Sequence, residues 1–189
     1  MKHNVFLCAM LFCCYTGMAA DTTALNNYRG HVLEVFNQCV LLDSQFINAV
    51  KTKNPEDIER SRIRLLSFFN EGWLRLDSME NFEDDAALKF SCKDVLKFYK
   101  QMAESDIPQI RDFYLVEQNF LAIKKEFDKK PVKKHSQSEI FAYNNEANKY
   151  NEAVTRYMQL TTFMESARKT TLYNWNASEK IFTKAHMRS

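Results

Sequence analysis

The sequence predicts an all-α fold, an antiparallel up-and-down bundle of four to five long helices that resemble coiled coils. Apolar residues recur at spacings of three and four along most of the chain, the period of helices with one buried face. Only three glycines and three prolines occur in 189 residues, so the turn residues that a β protein needs are scarce. The stretch 138–185 contains neither, and as one helix it would span about 70 Å. Because so long a helix needs cover for its apolar side, we expect the other helices to pack against it.

The first helix of the bundle is predicted from about residue 22 to residue 53. Its apolar line continues for four heptads, as in a helix-packing seam, through Leu25, Tyr28, Val32, Val35, Cys39, Leu42, Phe46 and Ala49. A second helix follows at Pro55, because Asn54 is a good N-cap and proline is favoured in a first turn. Gly72 lies on the seam of this helix and has two interpretations. It either permits close approach of another helix, or a kink, or it floors a binding pocket walled by Trp73.

The connection 78–85 is expected to cap a third helix with its acidic residues. The buried line of that helix is predicted to be Leu88, Cys92, Val95, Tyr99 and Met102. Proline is tolerated in a first turn, so Pro108 predicts a new helix or a kinked continuation from Asp106. The apolar face of this fourth segment is rich in large rings and contains Ile110, Phe113, Tyr114, Leu121, Ile123 and Phe127.

The loop that follows holds the only concentrated run of charge in the chain. Its basic residues are Lys129, Lys130, Lys133 and Lys134. We interpret this basic loop either as a solvated connection or as a contact for an anion or a membrane headgroup. In the second case its affinity should fall as salt is added.

The last helix begins after Ser136 and Ser138 and carries a seven-residue series of rings, Tyr143, Tyr150 and Tyr157. Asparagines lie between these tyrosines, and rings beside amides can bind a sugar or a peptide. The same pattern also occurs at the wet margin of a bundle, where a tyrosine buries its ring and keeps its hydroxyl solvated. Both interpretations stay open for the three tyrosines.

Residues 1–20 have the features of a secretory signal peptide. A short positive start precedes an apolar run over 5–15, and small residues follow at 17–20. The run is shorter than the roughly 20 residues that cross a bilayer. The sequence therefore predicts an exported protein, periplasmic or extracellular or at the cell surface. Its mature part, 21–189, is predicted to be one domain without a transmembrane segment.

The sequence lacks the features of several classes of function. A formal net charge of +2 does not suggest nucleic-acid binding. No histidine follows a glutamate at the Glu-x-x-His spacing of a di-iron bundle, no haem-attachment motif occurs, and the glycines form no phosphate loop. The sequence thus predicts neither an enzyme nor a metal or other cofactor.

Two cysteines remain in the mature chain, Cys39 and Cys92, and both fall on buried seams. In a bundle whose first and third helices run parallel, the two residues lie within about 5 Å of the same height. A disulfide is therefore a possible consequence of export. The sequence does not decide whether those two helices are adjacent or diagonal.

The segment 81–99, NFEDDAALKFSCKDVLKFY, resembles a class of exported, all-helical bacterial surface proteins of unknown function. An aromatic-acid-acid turn and the cluster Leu96, Phe98 and Tyr99 carry the resemblance. It implies a bacterial envelope location and an antiparallel bundle, and no chemistry. We therefore expect a non-catalytic binding or structural module whose partner is a protein or an envelope component. The alternative is a carrier of a small apolar ligand in a core cavity near Gly72, Trp73, Phe113 and Phe120.

Overall fold

The computed structural model describes the backbone of residues 3–83 and 85–186 and the side chains of residues 22–83 and 85–186. The predicted signal peptide, residues 1–20, lies outside the residues with described side chains, so its role stays a prediction. The described part of the chain is all-α, as the apolar periodicity predicts.

Five α-helices make up the fold: α1 (His3–Thr52), α2 (Pro55–Asp77), α3 (Ala87–Gln101), α4 (Ile107–Phe127) and α5 (Gln137–His186). A π-helical turn, Met102–Asp106, joins α3 and α4 into one rod. Four rods therefore run alternately up and down. Only the start of α1 differs clearly from prediction, since no proline stops the helix between residues 3 and 22.

The predicted starts of α2, α3 and α5 are confirmed, and side-chain hydrogen bonds stabilise each of them. Asn54 Oδ1 accepts from the Glu56 N–H at 3.0 Å, and Asp85 Oδ1 accepts from the Ala87 N–H at 2.7 Å. At the start of α5, Ser136 Oγ accepts from the Glu139 N–H, while the Glu139 carboxylate accepts from the Ser136 N–H. This reciprocal pair is a capping box.

Pro108 continues the third rod and does not begin a new one. Proline lacks an N–H and crowds the carbonyl one turn earlier, and the wider π-helical turn accommodates both effects. The side chain of Gln109 donates to the Ser105 carbonyl at 2.8 Å and replaces part of the lost backbone bonding. Of the two alternatives, continuation of the helix is thus the correct one, through a π-helical turn.

The core follows the predicted seams. Nearly every seam residue of α1 is buried, together with the predicted line of α3 and the inner residues Met164, Trp175 and Phe182 of α5. Gly72 is buried where α1 and α3 approach α2. A Cβ added there would lie 3.2 Å from Val35 Cγ1 and 3.3 Å from Leu96 Cδ2. Close helix approach is therefore the confirmed interpretation of this glycine.

The four rods have unequal lengths, and this creates a projection. The turn between α1 and α2 lies level with Glu117 and Gln118, whose side chains contact Lys53. Beyond that level α4 continues to Phe127, about 14 Å further at 1.5 Å per residue, accompanied only by α5. We call this two-helix projection, residues 118–152, the arm. Leu121, predicted on a buried face, is 52% exposed because α1 and α2 do not reach it.

Candidate functional site

The end of the arm is the positive pole of the molecule. Residues 124–139, here called the tip, contain six lysines and three acidic residues, a formal charge of +3 with histidine neutral. The whole chain carries +2, so everything outside the tip sums to −1. Because the tip lies at the end of the arm, beyond the turn between α1 and α2, its charge is separated from that of the four-rod bundle.

Each acidic side chain of the tip is paired with one lysine. Glu126 pairs with Lys129, Asp128 with Lys124, and Glu139 with Lys130. The Ser136 backbone N–H and the Lys130 ammonium lower the pKa of Glu139 to about 2, so this carboxylate stays ionised. The acids of the tip are therefore already neutralised locally.

Three lysines of the tip are left over: Lys125, Lys133 and Lys134 form no ion pair with any described residue. All three are exposed. Of the four lysines in the predicted basic loop, Lys129 and Lys130 thus serve to neutralise acids, whereas Lys133 and Lys134 are available to a partner. Lys125, at the end of α4, is an additional candidate outside that loop.

Apolar side chains lie beside these lysines and face water. Val132, next to Lys133 in a 3₁₀ turn, is 66% exposed. Phe141, in the first turns of α5, is 75% exposed. Helical side chains lean towards the N-terminus of their helix, which for α5 is the end at the tip. The tip and the adjoining first turns of α5 therefore present apolar groups together with unpaired cations.

A ladder of aromatic rings joins α4 to α5 along the arm and just below it. Phe113, Phe120 and Phe127 repeat every seven residues on α4 and stack against the predicted tyrosine series of α5. Ring centroids are 4.2 Å apart for Phe113 and Tyr157, 4.7 Å for Phe120 and Tyr150, and 4.2 Å for Phe127 and Tyr143. Stacked pairs at such distances stabilise beyond their buried area.

His135 closes the ladder at the tip. Its ring stacks on Phe127 with centroids 3.9 Å apart and planes 4° apart, and its side chain is only 3% exposed. Its Nε2 lies 3.2 Å from the Lys130 carbonyl oxygen, which fixes the loop against the helix. A cleft of about 520 Å³ lies here between the arm helices, lined partly by Lys129, Lys130 and Tyr143.

The ring faces of Tyr143, Tyr150 and Tyr157 thus pack against α4. Asn144, Asn145, Asn148 and Asn151 are exposed, whereas the three rings are half-buried against α4. Rings and amides therefore lie on different faces of α5 and do not form a joint surface. Binding by these tyrosines stays a prediction, and their observed contacts are structural.

Gly72 and Trp73 lie in the lower bundle, far from the arm. The Lys93 ammonium lies over the Trp73 ring, 5.0 Å from its centroid, and also pairs with Asp77. Leu96, which packs on Gly72, is about 25 Å along the rod from Phe113. The four residues proposed for a carrier cavity therefore do not meet at one place.

Cys39 and Cys92 are free, buried thiols on adjacent, parallel helices. Adjacency settles the question that the sequence left open, but the sulfurs are unbonded, and Cys92 Sγ lies 3.7 Å from the Val32 carbonyl oxygen. Burial raises the pKa of Cys39 to about 12, so the thiol stays protonated. The disulfide stays a prediction, which an intact mass before and after reduction would decide.

At the opposite end of the bundle, His186 joins α5 to the connection before α3. Its Nδ1 lies 3.1 Å from Glu83 Oε2 and its Nε2 lies 2.9 Å from Asp85 Oδ2. The two carboxylates bind different ring nitrogens and do not converge on a common centre. Among the described side chains, no group of three or more potential ligands could hold a metal ion.

A shallow apolar groove separates α1 from α5 near the middle of the bundle. Its volume is about 190 Å³, and its lining includes Phe46, Ile47, Val50, Ile110 and Met164. Arg168 lies at one end, where it binds the buried carboxylate of Asp43 through two hydrogen bonds of 2.7 and 2.9 Å.

The chain was compared with protein families, with curated proteins and with solved structures, and none of the three comparisons found a match. The resemblance of segment 81–99 to exported bacterial proteins therefore stays a prediction. Within the described residues, no helix combines the length and the apolar character needed to cross a membrane.

The sequence predicts the basic loop but not the arm. It does not show which lysines are paired, because Lys130 reaches Glu139 across the turn between two helices. The sequence also does not predict the exposure of Val132 and Phe141, although both side chains are apolar. Their exposure depends on α1 and α2 ending below the tip, which spacing alone does not reveal.

Proposed function

We propose that this chain is an exported, non-catalytic binding module of the cell envelope whose working surface is the tip of the arm. One observation carries the proposal: unpaired lysines and exposed apolar side chains are segregated at the end of a projection. A solvated surface normally intersperses charges of both signs, whereas separated charge steers a partner of opposite sign. The signal-peptide pattern of residues 1–20 supports the envelope as the place of action.

The structure of the arm suits this role. The aromatic ladder fixes the angle and register of two helices that no other rod supports, so the tip is presented in one geometry. A preorganised surface loses less conformational freedom on binding than a flexible loop does.

The proposal is tested by envelope association in cells that make the full chain. We expect the double variant K133E/K134E to shift from the envelope fraction to the soluble fraction. The matched control is K180E/K184E, because Lys180 and Lys184 are also exposed, form no ion pair with described residues, and lie at the opposite end of α5. Equal behaviour of the two variants would remove the tip as the working surface.

The alternative function, a carrier of a small apolar ligand, is favoured by the groove between α1 and α5 rather than by the lower core. Its lining is mostly apolar, and its volume of about 190 Å³ limits it to a small molecule. A series of short-chain apolar ligands should then raise the melting temperature, and Ile47→Trp should abolish the rise by filling the groove. If no ligand raises the melting temperature, the carrier hypothesis is lost.

A further inference from the structure

We infer that the tip binds the surface of an anionic lipid bilayer, on which the bundle stands end-on. This inference rests on the proposed function, since it names the partner of the same surface. It follows from the chemistry of three groups of side chains and from the dimensions of the arm.

Three unpaired lysines supply the positive charge of the tip. Lys125, Lys133 and Lys134 have no acidic partner among the described residues, so their ammonium groups can contact lipid phosphates without breaking an internal pair. Each lysine near an anionic membrane surface strengthens binding by about fivefold. Three such lysines give a useful but reversible attraction that salt weakens.

The apolar groups favour a bilayer over a purely polar anion. Val132 adjoins the unpaired Lys133, and Phe141 leans towards the tip from the first turns of α5. Both side chains would leave water on entering the headgroup layer, while the lysines remain at the level of the phosphates. A soluble phosphate would satisfy the lysines and leave these two side chains exposed.

The dimensions of the arm explain an end-on orientation. The arm keeps the turn between α1 and α2 about 14 Å away from the end of α4, and therefore from a surface that the tip touches. This exceeds the Debye length of about 8–10 Å at ordinary salt, so an anionic surface attracts the tip and is screened from the rest. Since the rest carries a net −1, lying flat would add no net electrostatic attraction to an anionic surface.

An acidic protein is the competing partner, because it would also bind the lysines in a salt-dependent way. It would gain less from Val132 and Phe141, which belong to different elements, the 3₁₀ turn and α5. A fluid headgroup layer can surround both, whereas a folded acidic surface needs a matching shape. We therefore argue for the bilayer and leave the protein as an outcome of the test.

The test measures partition of the purified full chain onto vesicles of phosphatidylcholine with and without phosphatidylglycerol, at low and high salt. Wild type should bind only the vesicles with phosphatidylglycerol, and less at high salt. K133Q/K134Q should lower the partition coefficient by about 25-fold, at about fivefold per lysine. V132S/F141S should weaken binding at both salt concentrations, because its loss is not electrostatic.

The matched control is K180Q/K184Q, which removes the same charge at the other end of the molecule and should bind as wild type does. All variants share residues 1–20, so a difference between them cannot come from that apolar segment. Circular dichroism shows whether each variant is folded. A tryptophan placed at the tip, Val132→Trp, should be quenched by brominated lipid, whereas Ile181→Trp should not.

Two results would overturn the inference: equal binding of wild type and K133Q/K134Q, or equal loss in K180Q/K184Q. Failure is distinguishable from failure of the proposed function. If the vesicles are not bound but K133E/K134E still leaves the envelope fraction in cells, the tip is the working surface and its partner is an acidic protein. If K133E/K134E also stays in that fraction, the proposed function fails as well.

Discussion

Asp43, Arg168 and Tyr99 form a buried polar cluster that joins α1, α5 and α3. The Arg168 guanidinium binds the Asp43 carboxylate twice, and the Tyr99 hydroxyl donates to the same carboxylate at 3.3 Å. Burial, with the charge of Asp43, raises the pKa of Tyr99, so its hydroxyl stays a donor. The cluster therefore fixes the register of three helices at a point where apolar packing alone would allow sliding.

Arg168→Met should destabilise the fold strongly, because it leaves Asp43 charged and buried. Removing one partner of a buried pair costs about 3–5 kcal/mol. Its neighbour Lys169 pairs with Glu165 on the exposed face, and Lys169→Met should cost at most about 0.5 kcal/mol. Urea unfolding measures both. The double variant D43N/R168M should lose less than R168M alone, and equal losses for R168M and K169M would contradict this role of the cluster.

The contacts of His186 make the stability of the fold depend on pH. The hydrogen bond to Asp85 raises the pKa of His186 above its usual 6.5. Burial has a smaller, opposing effect, and the hydrogen bond to Glu83 also raises the pKa. The resulting stability is fully present below pH 6.5 and is lost as pH rises through the raised value. The free energy of unfolding should therefore decrease from pH 6 to pH 8.5 more in wild type than in H186Q. Identical slopes for the two proteins would exclude the contribution of this histidine.

At the scale of helices, the two glycines of the bundle give a matched pair of variants. Gly30 is exposed, and a Cβ there meets nothing within 4 Å, so Gly30→Ala should stabilise by about 0.5–1 kcal/mol through helix propensity. Gly72→Leu should destabilise by about 1–3 kcal/mol, because Val35 and Leu96 already crowd the position. Leucine is a good helix former, so propensity cannot explain that loss. Thermal or urea unfolding measures both changes, and a stable G72L would argue against close packing here.

The helix seams are the part of the fold that sequence predicts well. Buried residues such as Val32, Leu65 and Val95 lie where spacings of three and four place them, because an amphipathic helix has one face to bury. The apolar pattern does not distinguish a new helix at Pro108 from a continuation of the preceding one, since a proline can begin a helix or interrupt one. The outcome depends on a π-helical turn and on the side chain of Gln109, which no apolar pattern encodes.

The candidate site is harder to predict for a related reason. Periodicity identifies Tyr143, Tyr150 and Tyr157 but not the rings opposite them, because pairing across an antiparallel turn requires the register of α4 against α5. The exposure of Phe141 likewise depends on how far the neighbouring rods extend. Both are properties of the assembled bundle.

At the scale of the whole molecule, stability should be uneven. The bundle below Glu117 has four rods, whereas the arm has two, so the arm should open locally before the bundle unfolds. Backbone amides of 119–127 and 140–150 should exchange faster than those of 90–100. Phe120→Ala should accelerate exchange in the arm and leave the exchange of the bundle and the global melting temperature nearly unchanged. Uniform protection along α4 would show that the arm is not a separate unit.

The proposed contact between the tip and a partner can be detected directly by site-specific photocrosslinking in intact cells. A photoreactive residue replaces Val132 at the tip or, as the control, Ile181 near the other end of α5; the two positions are similarly exposed, at 66% and 69%. We predict strong crosslinking to an envelope lipid or protein from position 132 and little from position 181. Crosslinking from position 181 alone, or from neither position, would contradict the proposed contact.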